Sequence, residues 1–187
     1  MHDTIGRDLL GLYAQLLTLK LLPRTGWLQR GVARPESIAE HTFGVAALAL
    51  FVGGAVEGLD RGKLLAIALL HDMAETLLGD LPASARLLIG ADHKHAAERR
   101  ALEQLLAGLP GGVEQIALWE EYACGGSREA RLVKGLDRVE MLAQALAYQR
   151  AGSRAMGEFL EDAEAGWGDE FPILGQLAAQ LVALRDQ

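Results

Sequence analysis

Hydrophobic residues recur at helical intervals along almost the whole chain, while the alternation typical of strands is nearly absent. A helix is predicted over residues 4–22, where leucine recurs at helical spacing from Leu9 onward, and Pro23 ends the pattern. Further helices are predicted after Ser37 and at about residues 62–79, 91–107, 112–123, 128–151, 153–165 and 170–186. The pattern therefore predicts an all-α fold.

Short polar or glycine-containing segments separate the predicted helices. Residues 23–36 form a connector with two prolines, two glycines and three arginines, a composition typical of an ordered loop. Ser37 and Glu40 match a capping box, which fixes the start of the next helix. Because no repeat, low-complexity tract or composition break divides the sequence, we expect a single compact helical bundle over residues 1–187.

The composition is that of a globular protein, with 50% hydrophobic and 23% charged residues among 187. The formal net charge of −7 disfavours a nucleic acid polymer as partner, because phosphate contacts along a polymer need a basic surface. A single phosphate group remains compatible, since one metal ion and one arginine can dominate a local site.

Three observations concern the compartment. The single cysteine, Cys124, cannot form an internal disulfide, so we expect a reducing compartment and an inert structural or exposed thiol. The N terminus lacks the apolar core and cleavage site of a signal peptide. The apolar run at residues 42–56 is short and interrupted by glycine, which predicts a core helix and no membrane partner. We therefore expect a cytoplasmic protein.

Two segments resemble binding motifs without meeting their requirements. The segment EGLDRGKLL has Glu57 where a phosphate-binding loop needs glycine and Leu64 where it needs serine or threonine. We interpret it as the start of a helix. His93 and His95 would point about 200° apart on a helix, so we interpret them as part of a solvated helix start.

The most informative polar residues follow the apolar segment LLAIALL, and they are His71, Asp72, Glu75 and Asp80. On a continuous helix over residues 62–79, the first three lie within a wedge about 100° wide. One or two turns earlier the same wedge is apolar, with Leu64, Leu65 and Ala68. A solvated face would be polar along its whole length, so these groups are predicted to be buried and to need a partner such as a divalent cation. The alternative is a frayed helix end, where they pair with solvent or an arginine.

Two other helices carry polar residues in apolar surroundings. His41 lies in the first turn of a helix, and the next 15 residues contain no charged group. Taken alone, such a residue is more often a hydrogen-bonded core histidine than a ligand. Asp137 interrupts a largely apolar helix, and taken alone it is more often a salt-bridge residue, because its face also holds Lys134, Glu140 and Gln144.

The order His41, His71-Asp72, Asp137 on three helices resembles the H…HD…D pattern of the HD-domain metal-dependent phosphohydrolases. The resemblance is closer to the HD-domain 5′-deoxynucleotidases, over about residues 16–152. It is carried by LLPRTGWLQRGVARPESIAEH, LLHDMAETLLGDLPA and GLDRVEMLAQALAYQRAG. It implies an HD-type helical bundle around one metal, and removal of the 5′-phosphate from (deoxy)ribonucleoside monophosphates.

The resemblance implies a set of four metal ligands: His41, His71, Asp72 and Asp137. Two of them, His41 and Asp137, would also border the substrate. Two imidazoles and two carboxylates favour Mn²⁺ or Co²⁺, and Fe²⁺, Zn²⁺ and Mg²⁺ are also compatible. A second metal would need further histidines between Asp72 and Asp137, and only the poorly spaced His93 and His95 are available there. We therefore expect a single metal.

The resemblance also implies roles in catalysis and substrate binding. Glu75 would orient or deprotonate the attacking water, or protonate the leaving 5′-oxygen. Arg24 would orient the phosphate, a task that its planar guanidinium suits. Asp80 and the residues after it would form the substrate loop near phosphate and deoxyribose, namely Leu81, Pro82 and Ala83.

The position of Trp27 differs from that in the best-known bacterial members of the family. Those members place a tryptophan directly after the arginine that corresponds to Arg24, where it packs against the sugar. Here Thr25 and Gly26 intervene, as in the eukaryotic branch. Trp27 either reaches the sugar or covers the core from the connector, and the strictness of deoxyribose selectivity stays open.

The sequence leaves two other functions open. One is an HD-type phosphodiesterase or nucleoside triphosphohydrolase, and the other is a nucleotide-binding module without turnover. Glu75 and Arg24 argue against the second, because a binding module does not need a carboxylate that activates water. The segment LGQLAAQLVALR and the family resemblance favour a homodimer, although core packing explains this apolar stripe equally well.

Overall fold

A computed structural model describes residues 2–160, 163 and 165–185 of the chain. Within them it contains the helices α1 (His2–Leu16), α2 (Thr25–Leu28), α3 (Ile38–Ala55), α4 (Arg61–Leu70), α5 (Glu75–Leu78), α6 (Ala83–Ile89), α7 (Ala91–Leu105), α8 (Gly112–Cys124), α9 (Arg128–Arg150), α10 (Gly157–Leu160) and α11 (Pro172–Arg185). A 3₁₀ turn, Leu17–Lys20, follows α1. The all-α prediction is confirmed.

The main core lies where α3, α4 and α9 pack together, with α11 on the outer side of α9. The buried side chains from these helices include Val45, Ala49, Leu64, Ile67, Val133, Leu136 and Leu174. Burial of each valine, leucine or isoleucine side chain among them stabilises the fold by about 1.5–3 kcal/mol. This core fixes the relative positions of the three helices that carry the predicted metal ligands.

Two smaller clusters flank the main core. In one, Trp27 and Val32 of the connector pack on Leu142 of α9 and on Met156. In the other, α7 and α8 meet the start of α5 through Ala74, Leu102 and Trp119. The cavity described below lies between them, because Trp27 and Trp119 both line it.

Helix α3 begins at the predicted capping box. The N–H of Glu40 donates to Ser37 Oγ over 3.2 Å, and the N–H of Ser37 donates to the Glu40 carboxylate over 2.6 Å. By length and composition this helix could cross a membrane, a property that core helices share. Here it packs against α4 and α9 and buries one side in the main core.

The helix predicted over residues 62–79 is divided in two. Helix α4 ends at Leu70, and the following turn has i→i−3 hydrogen bonds: from Met73 to Leu70 and from Glu75 to Asp72, each over 3.0 Å. Helix α5 then ends at Leu78, and the φ of 72° at the following Gly79 lies in the region that favours glycine. The prediction of one continuous helix over residues 62–79 was therefore wrong in detail, although His71 keeps helical dihedral angles.

Two short helices were not predicted from the sequence. Helix α2 lies within the connector, and α6 directly follows the expected substrate loop. Helix α6 exposes Leu87 and Leu88, so it lacks the periodic burial by which a sequence reveals a helix. In the helix predicted over residues 153–165, residues 161, 162 and 164 lie outside the described part of the chain, as does residue 186 of the last predicted helix.

The apolar stripe of α11 packs inward. Leu174 and Ala178 are buried, and Leu177, Leu181 and Val182 are partly buried against the cores. Core packing therefore accounts for this stripe.

Candidate metal and substrate site

Four side chains from three segments converge on one point in the interior. His41 Nε2 lies 3.3 Å from His71 Nε2 and 3.2 Å from Asp137 Oδ1. Asp72 Oδ2 lies 3.3 Å from His71 Nε2 and 3.6 Å from His41 Nε2. The structure thus places all four predicted ligands together, and the atoms offered by His41, His71 and Asp137 lie within 4.8 Å of one another.

Hydrogen bonds on the far side of each ring fix the two imidazoles. His71 Nδ1 donates to the carbonyl oxygen of Ala68 over 2.7 Å. This hydrogen bond also caps the end of α4. His41 Nδ1 lies 2.6 Å from Glu140 Oε2 and donates to it. With both Nδ1 atoms acting as donors, both Nε2 atoms point into the shared space. Metal-ligating histidines are commonly held in this way.

The convergence fits a divalent cation. Two Nε2 lone pairs 3.3 Å apart repel unless a proton or a metal ion lies between them. Burial alone would lower the pKa of His41, but hydrogen bonds to Asp137 and Glu140 raise it to about 10. The carboxylates therefore favour positive charge at this point. Two imidazoles and two carboxylates are a suitable donor set for a divalent transition metal.

Glu140 is a site residue that sequence reasoning missed. It is 9% exposed, and its carboxylate is the acceptor that orients His41. A Cβ at Gly44 would lie 2.9 Å from Glu140 Cγ and from Oε1, so the glycine leaves room for this side chain. Its sequence surroundings suggested a polar face shared with Lys134 and Gln144. Only the packing of α3 on α9 shows that Glu140 points inward.

Tyr122 was also not expected in the site. Its hydroxyl donates to Asp137 Oδ2 over 3.3 Å, and its ring packs edge-on against His71 with centroids 5.5 Å apart. Burial and the carboxylate of Asp137 hold the pKa of Tyr122 well above its usual value, so the hydroxyl keeps its proton. Tyr122 therefore orients Asp137 as a donor.

A short antiparallel contact between Pro23 and Ser37 places Arg24 at the site. The N–H of Arg24 donates to the carbonyl of Glu36 over 3.0 Å, which closes the connector. Arg24 Nη1 donates to Asp72 Oδ2 over 3.2 Å. Among the residues that the structure describes, no acceptor is found for its Nε and Nη2 groups, so they can bind an anion in the cavity.

Glu75 lies beside the cluster in an unusual state for a carboxyl group. It is 7% exposed, and its Oε2 has no hydrogen-bond partner within the described part of the chain. Burial, together with the carboxylates of Asp72 and Asp80, raises the pKa of Glu75 to about 9. A buried carboxyl group that holds a proton near neutral pH can donate and accept protons during a reaction.

Asp80 binds the connector. Its Oδ2 accepts from the N–H of Thr25 over 2.6 Å and from Thr25 Oγ1 over 2.9 Å. The Thr25 hydroxyl also lies 3.1 Å from the Asp80 carbonyl oxygen. This Thr25–Asp80 clasp joins the connector that carries Arg24 to the expected substrate loop. The role of Asp80 toward a substrate stays a prediction.

A cavity of about 440 Å³ opens onto the cluster. This volume lies in the range of small-molecule sites. The predicted residues that line it are Arg24, Trp27, His71, Asp72, Glu75, Asp80, Leu81, Pro82, Ala83 and Asp137. His41, which is fully buried, lies behind this wall.

Trp27 borders the cavity mainly as part of the core. It is 2% exposed, and its Nε1 donates to Glu36 Oε1 over 2.8 Å. Its ring packs against Phe159 and Tyr148 with centroids 4.6 and 5.4 Å away. These contacts favour the interpretation of Trp27 as a cover over the core, and its contact with a sugar stays a prediction.

The two histidines that were assigned to a solvated helix start differ in the structure. His93 is exposed, as expected. His95 is not simply solvated, because it lines the cavity and stacks on Trp119. Cys124 is a free, exposed cysteine.

Comparisons with known proteins test the family resemblance. A family model described as HD domain matches residues 16–171. The chain is 37% identical over 154 residues to the 5′-deoxynucleotidase HDDC2 of Xenopus laevis, covering 81% of this chain and 75% of that protein. The human 5′-deoxynucleotidase HDDC2 is 38% identical over 145 residues, with 76% and 69% covered.

A solved structure shares the fold. A protein from Pyrococcus horikoshii OT3 superposes with a TM-score of 0.81 at 32% identity, covering 94% of this chain and 99% of that one. The family resemblance expected from the three sequence blocks is confirmed.

Removing the carboxylate of Glu140 is expected to weaken metal binding. In Glu140→Ala, His41 Nδ1 loses its acceptor, and we expect Mn²⁺ affinity to fall about 10- to 100-fold. Titration calorimetry on metal-free protein measures this change. Glu129→Ala is a matched control, because Glu129 is a similarly buried carboxylate on α9 that contacts the N–H of Asp60. Equal Mn²⁺ affinity in the two variants would contradict the role assigned to Glu140.

Glu75 is expected to make the stability of the metal-free protein depend on pH. Its pKa of about 9 in the folded state lies above the ordinary value of 4.5, so folding requires proton uptake between these values. The contribution of the protonated Glu75 to the free energy of unfolding is complete below about pH 4.5 and is lost as pH rises toward 9. We expect Glu75→Gln to gain stability over the unsubstituted protein across this range, measured by urea unfolding in a chelator. A constant difference between pH 5 and 9 would contradict the assignment.

Proposed function

The chain belongs to the HD domain family, and we propose that it is a metal-dependent phosphohydrolase that removes the 5′-phosphate from (deoxy)ribonucleoside monophosphates. The observation that carries the proposal is one cavity whose wall contains Arg24 and Glu75 beside His71, Asp72 and Asp137, with His41 directly behind it. The names of the relatives, 5′-deoxynucleotidases, support this substrate class.

Arg24 binds the phosphate in this proposal. Asp72 holds its Nη1 and thereby fixes the guanidinium plane, while the remaining N–H groups are directed to substrate oxygens. Nearby acids, with Asp72 foremost, outweigh the effect of burial and hold the pKa of Arg24 above its usual value, so the group stays charged. The clasp between Thr25 and Asp80 keeps this arginine next to the substrate loop.

Glu75 handles the proton. The leaving 5′-oxygen needs a proton as its bond to phosphorus breaks, and the attacking water must lose one. The uncommitted Oε2 of Glu75 can hold a proton at either position, because no protein group within the described residues competes for it. Its buried environment keeps bulk water away from this transfer.

The metal would be held by His41, His71, Asp72 and Asp137, of which the imidazoles are oriented by Glu140 and the Ala68 carbonyl. When bound, it supplies a lowered pKa for water and offsets negative charge on the phosphoryl group. The mixed nitrogen and oxygen donors support Mn²⁺ or Co²⁺ as our proposal for its identity.

Activity is expected to separate the candidate functions. With Mn²⁺ or Co²⁺, we expect phosphate release from dAMP, and the ratio of dAMP to AMP turnover measures deoxyribose selectivity. Hydrolysis of a cyclic dinucleotide or dATP in place of dAMP would favour the phosphodiesterase or triphosphohydrolase alternative. Nucleotide binding without turnover of any of these substrates would favour a binding module.

Glu75→Gln is expected to lose turnover of dAMP by about 10²- to 10⁴-fold while keeping Mn²⁺ and dAMP affinity, because only proton transfer is removed. Steady-state kinetics and calorimetry measure both quantities. Glu98→Gln provides the control, since Glu98 also lines the cavity and pairs with Lys94. The role of Glu75 would be wrong if the variant turned over normally or lost its metal.

We also propose that the protein forms a homodimer through the outer side of α3. Phe43, Leu50 and Phe51 are 74%, 54% and 76% exposed, and their spacing of seven and eight residues puts them on one stripe. Contiguous exposed apolar stripes of this kind commonly mark an interaction surface. We therefore propose the α3 stripe as the dimer contact in place of the apolar stripe of α11, because the α11 stripe packs inward.

Phe51→Glu is expected to convert the dimer into a monomer, because a carboxylate in the centre of an apolar contact would be buried without a partner. Sedimentation equilibrium should give twice the chain mass of 20.1 kDa for the unsubstituted protein and one chain mass for the variant. Leu88→Glu introduces the same charge at an exposed leucine of α6 and should leave the dimer intact. A monomeric unsubstituted protein at micromolar concentration would refute the proposal.

A further inference from the structure

His95 forms an ordered aromatic platform inside the cavity. Its ring stacks on Trp119 of α8 with centroids 5.2 Å apart and an angle of 22° between the planes. Its Nε2 lies 2.8 Å from Glu120 Oε2, and Arg99 donates to the other oxygen of Glu120 over 3.1 Å. The ring is therefore held both by one face and by one edge. Its side chain nevertheless stays 43% exposed.

The platform lies close to the metal cluster. Trp119 and Tyr122 are three residues apart on α8, which places them on neighbouring turns of one side, about 5 Å apart along the axis. Tyr122 packs against His71, while Trp119 supports His95. One cavity contains all four of these side chains. A ligand whose phosphate lies at the cluster therefore has room in the same cavity to reach His95.

The other aromatic side chains that line the cavity are less available for stacking. Trp27 is 2% exposed. Phe159 is covered on one face by the guanidinium of Arg30, 4.6 Å from the ring centroid, and it also packs against Trp27. Tyr122 packs against His71 and lies near the ammonium of Lys134. Among the described residues that line the cavity, His95 thus combines a supported ring face with substantial exposure.

We propose that His95, supported by Trp119 and oriented by Glu120, is the stacking surface for the nucleobase of the substrate. This inference rests on the proposed function and deepens it by assigning the base end of the site. Bases stack on aromatic rings without strong sequence preference, since every base has a π face. The subsite therefore takes purine and pyrimidine nucleotides and disfavours phosphate esters that lack a base.

The test compares dAMP with 2-deoxyribose 5-phosphate, which has the same phosphate and sugar but no base. In the unsubstituted protein we expect kcat/KM for dAMP to exceed that for the sugar phosphate by about tenfold or more. His95→Ala should raise KM for dAMP by a similar factor, leave kcat nearly unchanged and leave the sugar phosphate unaffected. His95→Phe should restore most of the dAMP affinity, because it keeps the ring.

His93→Ala is the matched control, because His93 lies two residues away on α7, is exposed and does not line the cavity. It should behave like the unsubstituted protein with both substrates. Urea unfolding of each variant checks that a loss of dAMP affinity does not come from a loss of fold.

Two results would overturn the subsite while leaving the proposed function intact. One is equal kcat/KM for dAMP and the sugar phosphate in the unsubstituted protein. The other is an equal loss for both substrates in His95→Ala. If neither compound releases phosphate, the proposed function fails, and calorimetric titration with dAMP decides the subsite separately. In that titration, equal dAMP affinity in the unsubstituted protein and His95→Ala would overturn the base assignment.

Discussion

The site depends on the placement of two imidazole nitrogens 3.3 Å apart in the protein interior. Each nitrogen points inward because the opposite side of its ring is already bonded, to Glu140 in one case and to the Ala68 carbonyl in the other. Such a pair is stable only with positive charge between its members, and Asp72 and Asp137 supply the balancing negative charge. The apolar packing of α3, α4 and α9 holds these groups against their mutual repulsion.

Much of the fold and the His71-Asp72 part of the ligand set could be predicted from the sequence pattern, because the signal lies within single segments. His71 and Asp72 follow an apolar run whose wedge is apolar one and two turns earlier, so their burial could be inferred from one segment. The partners on other helices came from the family resemblance. The connector and its capping box were also visible, because serine and glutamate at that spacing act within one turn.

The features that the sequence did not reveal depend on contacts between distant segments. Glu140 looked like part of a polar face until α3 packed on it, with Gly44 opposite its side chain. His95 looked solvated because its support, Trp119, lies 24 positions further along the chain. The break after Leu70 was hidden because His71 and Ala74 keep nearly helical angles, and the i→i−3 hydrogen bonds mark the turn.

The clasp between Thr25 and Asp80 links the length of the connector to the substrate loop. The threonine belongs to the two-residue insertion between Arg24 and Trp27, and its backbone and side chain both bind the aspartate. A chain that shortened this insertion would lose the partner of a partly buried carboxylate on a separate loop. The length of the connector and the residue at position 80 are therefore coupled in this chain, because a change in either one removes the same hydrogen bonds.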